Sequence, residues 1–177
     1  VSVPLKGVDP VAWLAAQEMT PALYWRDREG HRRIAGVGAA DRLAPGAPDA
    51  MGTLFEQATR RLRRAPGSLR YFGGFRFDLT APIDKHWREF GLGWLVLPRF
   101  EVVEAGGATR LACTVIPGRD KPHEVMQALD ALSDCPRQPA APALAQREGD
   151  CPDAAGWAEA VRGVTRAIAG GGGWRKV

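Results

Sequence analysis

Cysteine is scarce in this chain. Cys113, Cys135 and Cys151 are the three, an odd number with no short spacing between them. That argues against a disulfide framework and against a cysteine-built zinc site. None of the three sits in a recognisable reactive setting, so they read as passive core or loop residues. Histidine is equally sparse. His31, His86 and His123 are scattered, none with a partner at metal or triad spacing, and they read as surface or loop residues. No apolar run reaches the ~20 residues that span a bilayer, so a membrane is not an expected partner. An excess of charge is also lacking: the formal net charge is +4 over 177 residues. So mild a balance suits solubility or an anionic ligand better than a nucleic acid. Val1 to Pro10 shows no basic-then-apolar signal pattern. Together these absences lead to the expectation of a cytoplasmic, reducing location.

What is present reads as alternating strands and helices. Asp9-Pro10 starts a short helix with Val11, Trp13, Leu14 and Met19 as its apolar positions. Ala22 to Arg26 and His31 to Gly38 form a hairpin about Asp27-Arg28-Glu29-Gly30, and Asp41 to Pro48 is a loop. Asp49 is the expected N-cap of a helix whose stripe is Met51, Leu54, Phe55, Ala58 and Leu62. Pro66-Gly67 ends it. Leu69 to Asp78 is a strand interrupted by Gly73-Gly74, where glycine implies the close approach of a backbone or a bulky ring. Ala81 to Phe90 is a helical or irregular connection. Leu92 to Glu104 is a second central strand with both faces covered at Trp94 to Leu97. Gly106-Gly107 turns it into a third strand, Thr109 to Pro117, with Leu111, Cys113 and Val115 on one face. Asp120 is the expected cap of a helix with the stripe Val125, Leu129 and Leu132. Residues 135–150 form a flexible linker rich in Pro, Ala and Gln. Asp153 caps a last helix whose stripe, Trp157, Val161, Val164 and Ile168, is expected to be buried. Gly170 to Gly173 end that helix, and Trp174 to Val177 open a strand.

Two features invite sharper readings. The arginines at 60, 61, 63 and 64 form either a solvated helix face, favourable to the helix dipole, or an anion or RNA patch. The solvated face is preferred and the anion or RNA patch is set aside, because no aromatic residues are interleaved with them as single-strand binders would need. The glycine run at 170 to 173 follows a helix and lacks a lysine-serine ending, so it reads as a helix terminus and not as a phosphate-binding loop. A strand that opens at Trp174 needs a partner, which leads to the expectation that these residues are the N-terminal part of a longer polypeptide.

Three stretches in order resemble the chorismate-utilising enzymes, and most closely the isochorismate synthases. They are Arg70-Tyr71-Phe72-Gly73-Gly74-Phe75-Arg76-Phe77-Asp78 with Trp87 and Phe90, then Leu97-Pro98-Arg99-Phe100-Glu101, then Trp157 to Val177. Tyr24-Trp25-Arg26 with Gly36-Val37-Gly38 resembles the family's first hairpin. The resemblance implies an α+β fold of large, mostly antiparallel sheets with outer helices, of which residues 1–177 would be the N-terminal portion of one chorismate-utilising domain. It also implies chorismate as substrate and Mg2+ as cofactor. Lys176 stands where the family has the general base that activates water for attack at C2 of chorismate as the C4 hydroxyl leaves. The family's general acid and magnesium ligands lie further along its chain, so the resemblance supplies no metal ligand here, and residues 1–177 alone are expected to be inactive.

These considerations make isochorismate synthase, in menaquinone or siderophore synthesis, the first reading, with the early hairpin favouring menaquinone. Salicylate synthase or another chorismate-utilising enzyme, such as an anthranilate or aminodeoxychorismate synthase component, is the alternative within the family. A non-catalytic ligand- or protein-binding α/β module is the alternative of another class.

Overall fold

A computed structural model describes residues 1–65, 69–134 and 149–171. The chain divides into two compact units, Val1–Ala140 and Ala141–Val177. The first holds a six-stranded, wholly antiparallel sheet in the order β1-β6-β5-β3-β2, with β4 paired to the free edge of β5. The strands are β1 (Ser2–Leu5), β2 (Ala22–Arg26), β3 (Arg32–Leu43), β4 (Phe72–Phe75), β5 (Gly93–Ala105) and β6 (Ala108–Cys113). The helices are α1 (Pro10–Ala15), α2 (Met51–Arg64) and α3 (Pro122–Ser133), with α4 (Ala154–Ala169) in the second unit. This is the expected α+β arrangement.

β5 is the spine of the sheet. Its C-terminal half pairs with β6 along one edge and its N-terminal half pairs with β4 along the same edge, while β3 runs along the other. Both faces are covered, as the apolar run at 94–97 predicts: Leu95 and its neighbour Val96 are both buried. Residues alternate between faces along a strand, so the two clusters that use β5 lie on opposite sides. Phe100 and Val102 join Ala35, Val37, Leu111 and Cys113 beneath Trp13 of α1 and Val125 and Leu129 of α3. Leu95 joins Leu43 beneath Leu54 and Ala58 of α2, with Tyr71 and Phe75 at the margin.

Helix α1 begins as the sequence predicts. Asp9 Oδ1 accepts from the backbone N–H groups of Val11 and Ala12 at 2.9 and 3.0 Å, and Pro10 occupies the first turn, where its missing N–H costs nothing. The fully buried Trp13 donates its indole N–H to the Leu132 carbonyl at 3.0 Å, tying α1 to the last turn of α3.

Several boundaries differ from expectation for identifiable reasons. Pro48–Ala50 forms a 3₁₀ turn, so α2 starts after it and Asp49 does not cap it. Lys121 is the N-cap of α3, because the Asp120 carboxylate is taken by Arg99 and by the Ile116 N–H. β4 is only Phe72–Phe75: Asp78 Oδ1 draws in the N–H groups of Thr80 and Ala81, which folds the chain away and leaves Phe77 fully exposed. β3 continues to Leu43, through a bulge between Ala39 and Asp41 beside Gly38 at φ +64°. β6 ends at Cys113, leaving Val115 partly exposed outside it. β1 was not foreseen at all: four residues too short to show a period, they gain their strand geometry by pairing with β6.

In the second unit, Asp153 caps α4 as expected, accepting from the Gly156 N–H at 2.8 Å. Its apolar stripe is not buried as expected. Trp157, Val161, Val164 and Ile168 are all exposed, and α4 has no buried residue. The helical period that made the stripe legible reports which side of the helix is apolar, not whether anything covers it. Most of the anticipated linker at 135–150 lies outside the described residues.

Candidate functional site

Lys176, the one catalytic residue anticipated, lies outside the described residues. The described structure shows what leads to it. Helix α4 is held on its polar side by Glu159, which pairs with Arg162 at 3.1 Å and Arg166 at 2.8 Å. It closes at Gly170, whose N–H reaches the Arg166 carbonyl at 2.9 Å, and Gly171 takes φ +77°, a conformation that favours glycine. The start of the glycine run is therefore a helix terminus, as expected.

The stretch Leu97–Glu101 forms the middle of β5, the best-buried strand of the first unit. Its Arg99 reaches the Asp120 carboxylate at 2.6 Å and the Thr114 carbonyl. Asp120 also accepts from the Ile116 N–H at 2.6 Å. One guanidinium thus fixes the exit of β6 and the approach to α3, and the hydrogen bond from Arg99 holds the Asp120 carboxyl below the usual carboxylate range. Glu101, two residues on, is pushed up by burial, with Arg70 opposing.

The entry to β4 is organised by Asp41. Placed by the β3 bulge, its carboxylate accepts from Arg61 of α2 and from the Tyr71 hydroxyl. Burial works to raise Asp41, but these two donors outweigh it and hold the carboxyl low. Burial and the neighbouring Asp41 push the Tyr71 hydroxyl up to about 12. Asp41 contributes stability that is lost as pH falls through its depressed folded value. Tyr71 contributes stability that is present below pH 10.0 and lost as pH rises from there towards about 12. Tyr71→Phe is therefore expected to remove part of the alkaline loss of stability over that window, as read by melting temperature against pH in parallel with the wild type.

The two glycines of β4 are not equivalent. A Cβ on Gly73 would overlap the Trp94 carbonyl oxygen and lie 2.8 Å from its carbonyl carbon and 3.0 Å from Leu95 Cα. On Gly74 it would meet only the edge of the Phe90 ring, at 3.7 Å. The close approach inferred from the sequence is therefore made by β5 backbone at Gly73. Beyond β4, Trp87, Phe90 and Trp94 pack edge to face, with centroids 5.9 and 6.0 Å apart. Phe75, Arg76, Phe77, Asp78, Trp87 and Phe90 line an open groove of about 420 Å3 there.

Comparison with known proteins decides the family. The model of the chorismate binding enzymes matches residues 1–177. The chain belongs to this family. The chain is 30% identical to the isochorismate synthase MenF of Escherichia coli (strain K12), over 97% of its own length and 36% of MenF. It is 35% identical to the chloroplastic isochorismate synthase 2 of Arabidopsis thaliana over 66 residues, 37% of this chain and 12% of that one. Its fold matches the solved structure of E. coli MenF, the menaquinone-specific isochorismate synthase, with a TM-score of 0.58 and 27% identity, covering 96% of this chain and 37% of that one. The chain thus spans about a third of the length of MenF.

His31, His86 and His123 of the family member are exposed, Cys113 is buried and Cys151 exposed, while Cys135 lies outside the described residues. Burial pushes the Cys113 thiol up, consistent with a passive core residue. Among the described residues no three His, Cys, Asp or Glu side chains come together as a metal ion would require. Among the described residues no helix is long and apolar enough to cross a membrane. The Asp41–Arg61–Tyr71 cluster was missed in the sequence. Only the bulge brings Asp41 to the other two, and no pattern in the sequence announces an extra residue in β3.

Proposed function

We propose that this chain is the N-terminal portion, residues 1–177, of a single chorismate-utilising domain of an isochorismate synthase. The reaction converts chorismate to isochorismate: water adds at C2, the C4 hydroxyl departs, and the double bonds shift between them. Lys176 takes the proton from the attacking water. The departing hydroxyl leaves as water with a proton from a general acid beyond Val177, so one water enters and one is released. Mg2+ is the expected cofactor, held by ligands also beyond Val177, and the domain is expected to be cytoplasmic. Residues 1–177 alone are expected to be inactive.

The observation that carries this reading is the identity to MenF across nearly the whole of the chain, reinforced by the fold match. Menaquinone synthesis is the proposed pathway because that solved relative is menaquinone-specific. A lysine suits the base role only when its pKa falls from the reference of ~10.4, which burial or neighbouring cations can bring about.

Product analysis tests the proposal. The full-length protein incubated with chorismate and Mg2+ is expected to give isochorismate alone. Salicylate with pyruvate would instead identify a salicylate synthase, and no consumption of chorismate would leave a non-catalytic module.

A further inference from the structure

Helix α2 turns one flank to its sheet and another to solvent, and the solvent flank has an unusual composition. Leu54 and Ala58 are buried against β3 and β5. Thr53, Gln57, Arg60, Arg61 and Arg64 line a groove of about 390 Å3 along the helix. Thr53, Gln57, Arg60 and Arg64 follow one another at helical spacing, so they form a single line on one face. Every one of the five offers hydrogen-bond donors, and no carboxylate lines the groove. Arg61 is already neutralised by Asp41. Among the described residues, Arg60 and Arg64 have no carboxylate within ion-pairing distance. The helix dipole accounts for basic residues in the last turn. It does not account for Thr53, Gln57 and Arg60 standing in line with Arg64 with no acid among them. The adjoining groove is lined by the same Arg60 and Arg64 together with Phe55, Glu56, Thr59 and Arg63, and Glu56 stands one turn before Arg60. Its one carboxylate lies outside the donor line.

We infer that this line on α2 is a binding site for a compact multivalent anion, an oligophosphate group. Two guanidinium groups one turn apart that make no ion pair repel each other, and an anion placed between them relieves that repulsion. A guanidinium presents a planar fork of donors that fits the oxygens of a phosphate group two at a time. Two such forks need more than one anionic oxygen pair, which a single carboxylate does not supply and linked phosphates do. Gln57 and Thr53 extend the donor row for a second or third phosphate. The groove's volume falls in the range of small-ligand sites. Extended single-stranded nucleic acid fits less well, because this groove has no aromatic ring on which a base could stack.

The test uses the full-length protein in magnesium-free buffer, since tripolyphosphate chelates the ion. Inorganic tripolyphosphate is titrated calorimetrically into the wild type and into the Arg60→Gln/Arg64→Gln double variant at low salt. The wild type is expected to bind, more weakly as salt is raised, and the double variant to bind about tenfold less tightly. Both arginines are exposed and carry no role in the proposed reaction, so turnover of chorismate in magnesium-containing buffer is expected to be unchanged and serves as the folding control. Absence of binding by the wild type overturns the proposal, as does equal binding by the two proteins. Retention of a single-stranded oligonucleotide without tripolyphosphate binding also overturns it, in favour of a nucleic-acid surface.

Discussion

Replacing Lys176 by alanine in the full-length protein is expected to cut isochorismate formation by roughly 10²- to 10⁴-fold, to the edge of detection, with the melting temperature close to wild type. The magnitude is that of removing a general base from a proton transfer in the transition state. A charge-only role would predict something different, so Lys176→Arg is the informative companion. Arginine keeps the cation but is effectively always protonated and cannot accept a proton from water. If Lys176 is the base, both variants are inactive. If Lys176→Arg retains most of the turnover, the residue acts as a fixed positive charge and the base lies elsewhere. Near-wild-type turnover by the alanine variant would remove Lys176 from the mechanism altogether. Circular dichroism and melting curves separate these outcomes from a failure to fold.

Gly73→Ala is expected to destabilise the protein by about 3 kcal/mol or more, while Gly74→Ala at the next position costs less than about 1 kcal/mol. The contrast comes from what each added methyl meets. At Gly73 the obstacle is the Trp94 backbone, which is held in the β4–β5 ladder and cannot rotate aside. At Gly74 it is the edge of the Phe90 ring at ordinary contact distance. Gly93 faces the same crossing from the other strand: a Cβ there would lie 2.8 Å from Phe75 Cα, and its φ of +135° is itself a glycine conformation. Two strands therefore meet here closer than side chains allow, with glycine on both. Melting temperatures of the two single variants decide the matter. Equal stability would mean that β4 can lift from β5 without penalty, and the crossing would not be a constraint.

Much of the fold was legible because its signals are local. The Asp9-Pro10 cap, the Asp27–Gly30 turn between β2 and β3, and the Gly106-Gly107 turn at φ +57° and +77° depend on a few adjacent residues with restricted conformations. The buried run at 94–97 was legible for a similar reason, since consecutive apolar residues in a strand require cover on both sides. What the sequence concealed depends on distant partners. Asp120 has the sequence neighbourhood of a helix cap, and only the approach of Arg99 diverts it. Phe77 continues the alternation of β4, yet Asp78 ends the strand by binding the following turn. Of the candidate site, the family was legible from ordered stretches spread along the chain. The one residue assigned to the chemistry was legible only by its place in that order, because an isolated lysine carries no local mark of its pKa.

The bulge in β3 has a consequence for how the first unit tolerates change. Val37 and Leu43 are both odd-numbered, and an unbroken strand would place them on the same side. Val37 belongs to the cluster under α1 and α3, Leu43 to the cluster under α2. The additional residue between Ala39 and Asp41 reverses the parity of the strand midway. β3 thus carries two reading frames, one for each helical layer, and the frameshift between them is what makes both layers apolar where they touch. Deleting a single residue there would merge the frames, turning Leu43 away from α2 and separating Asp41 from Arg61 and Tyr71. Substitutions within either layer remain local matters, whereas length at this point is shared by both.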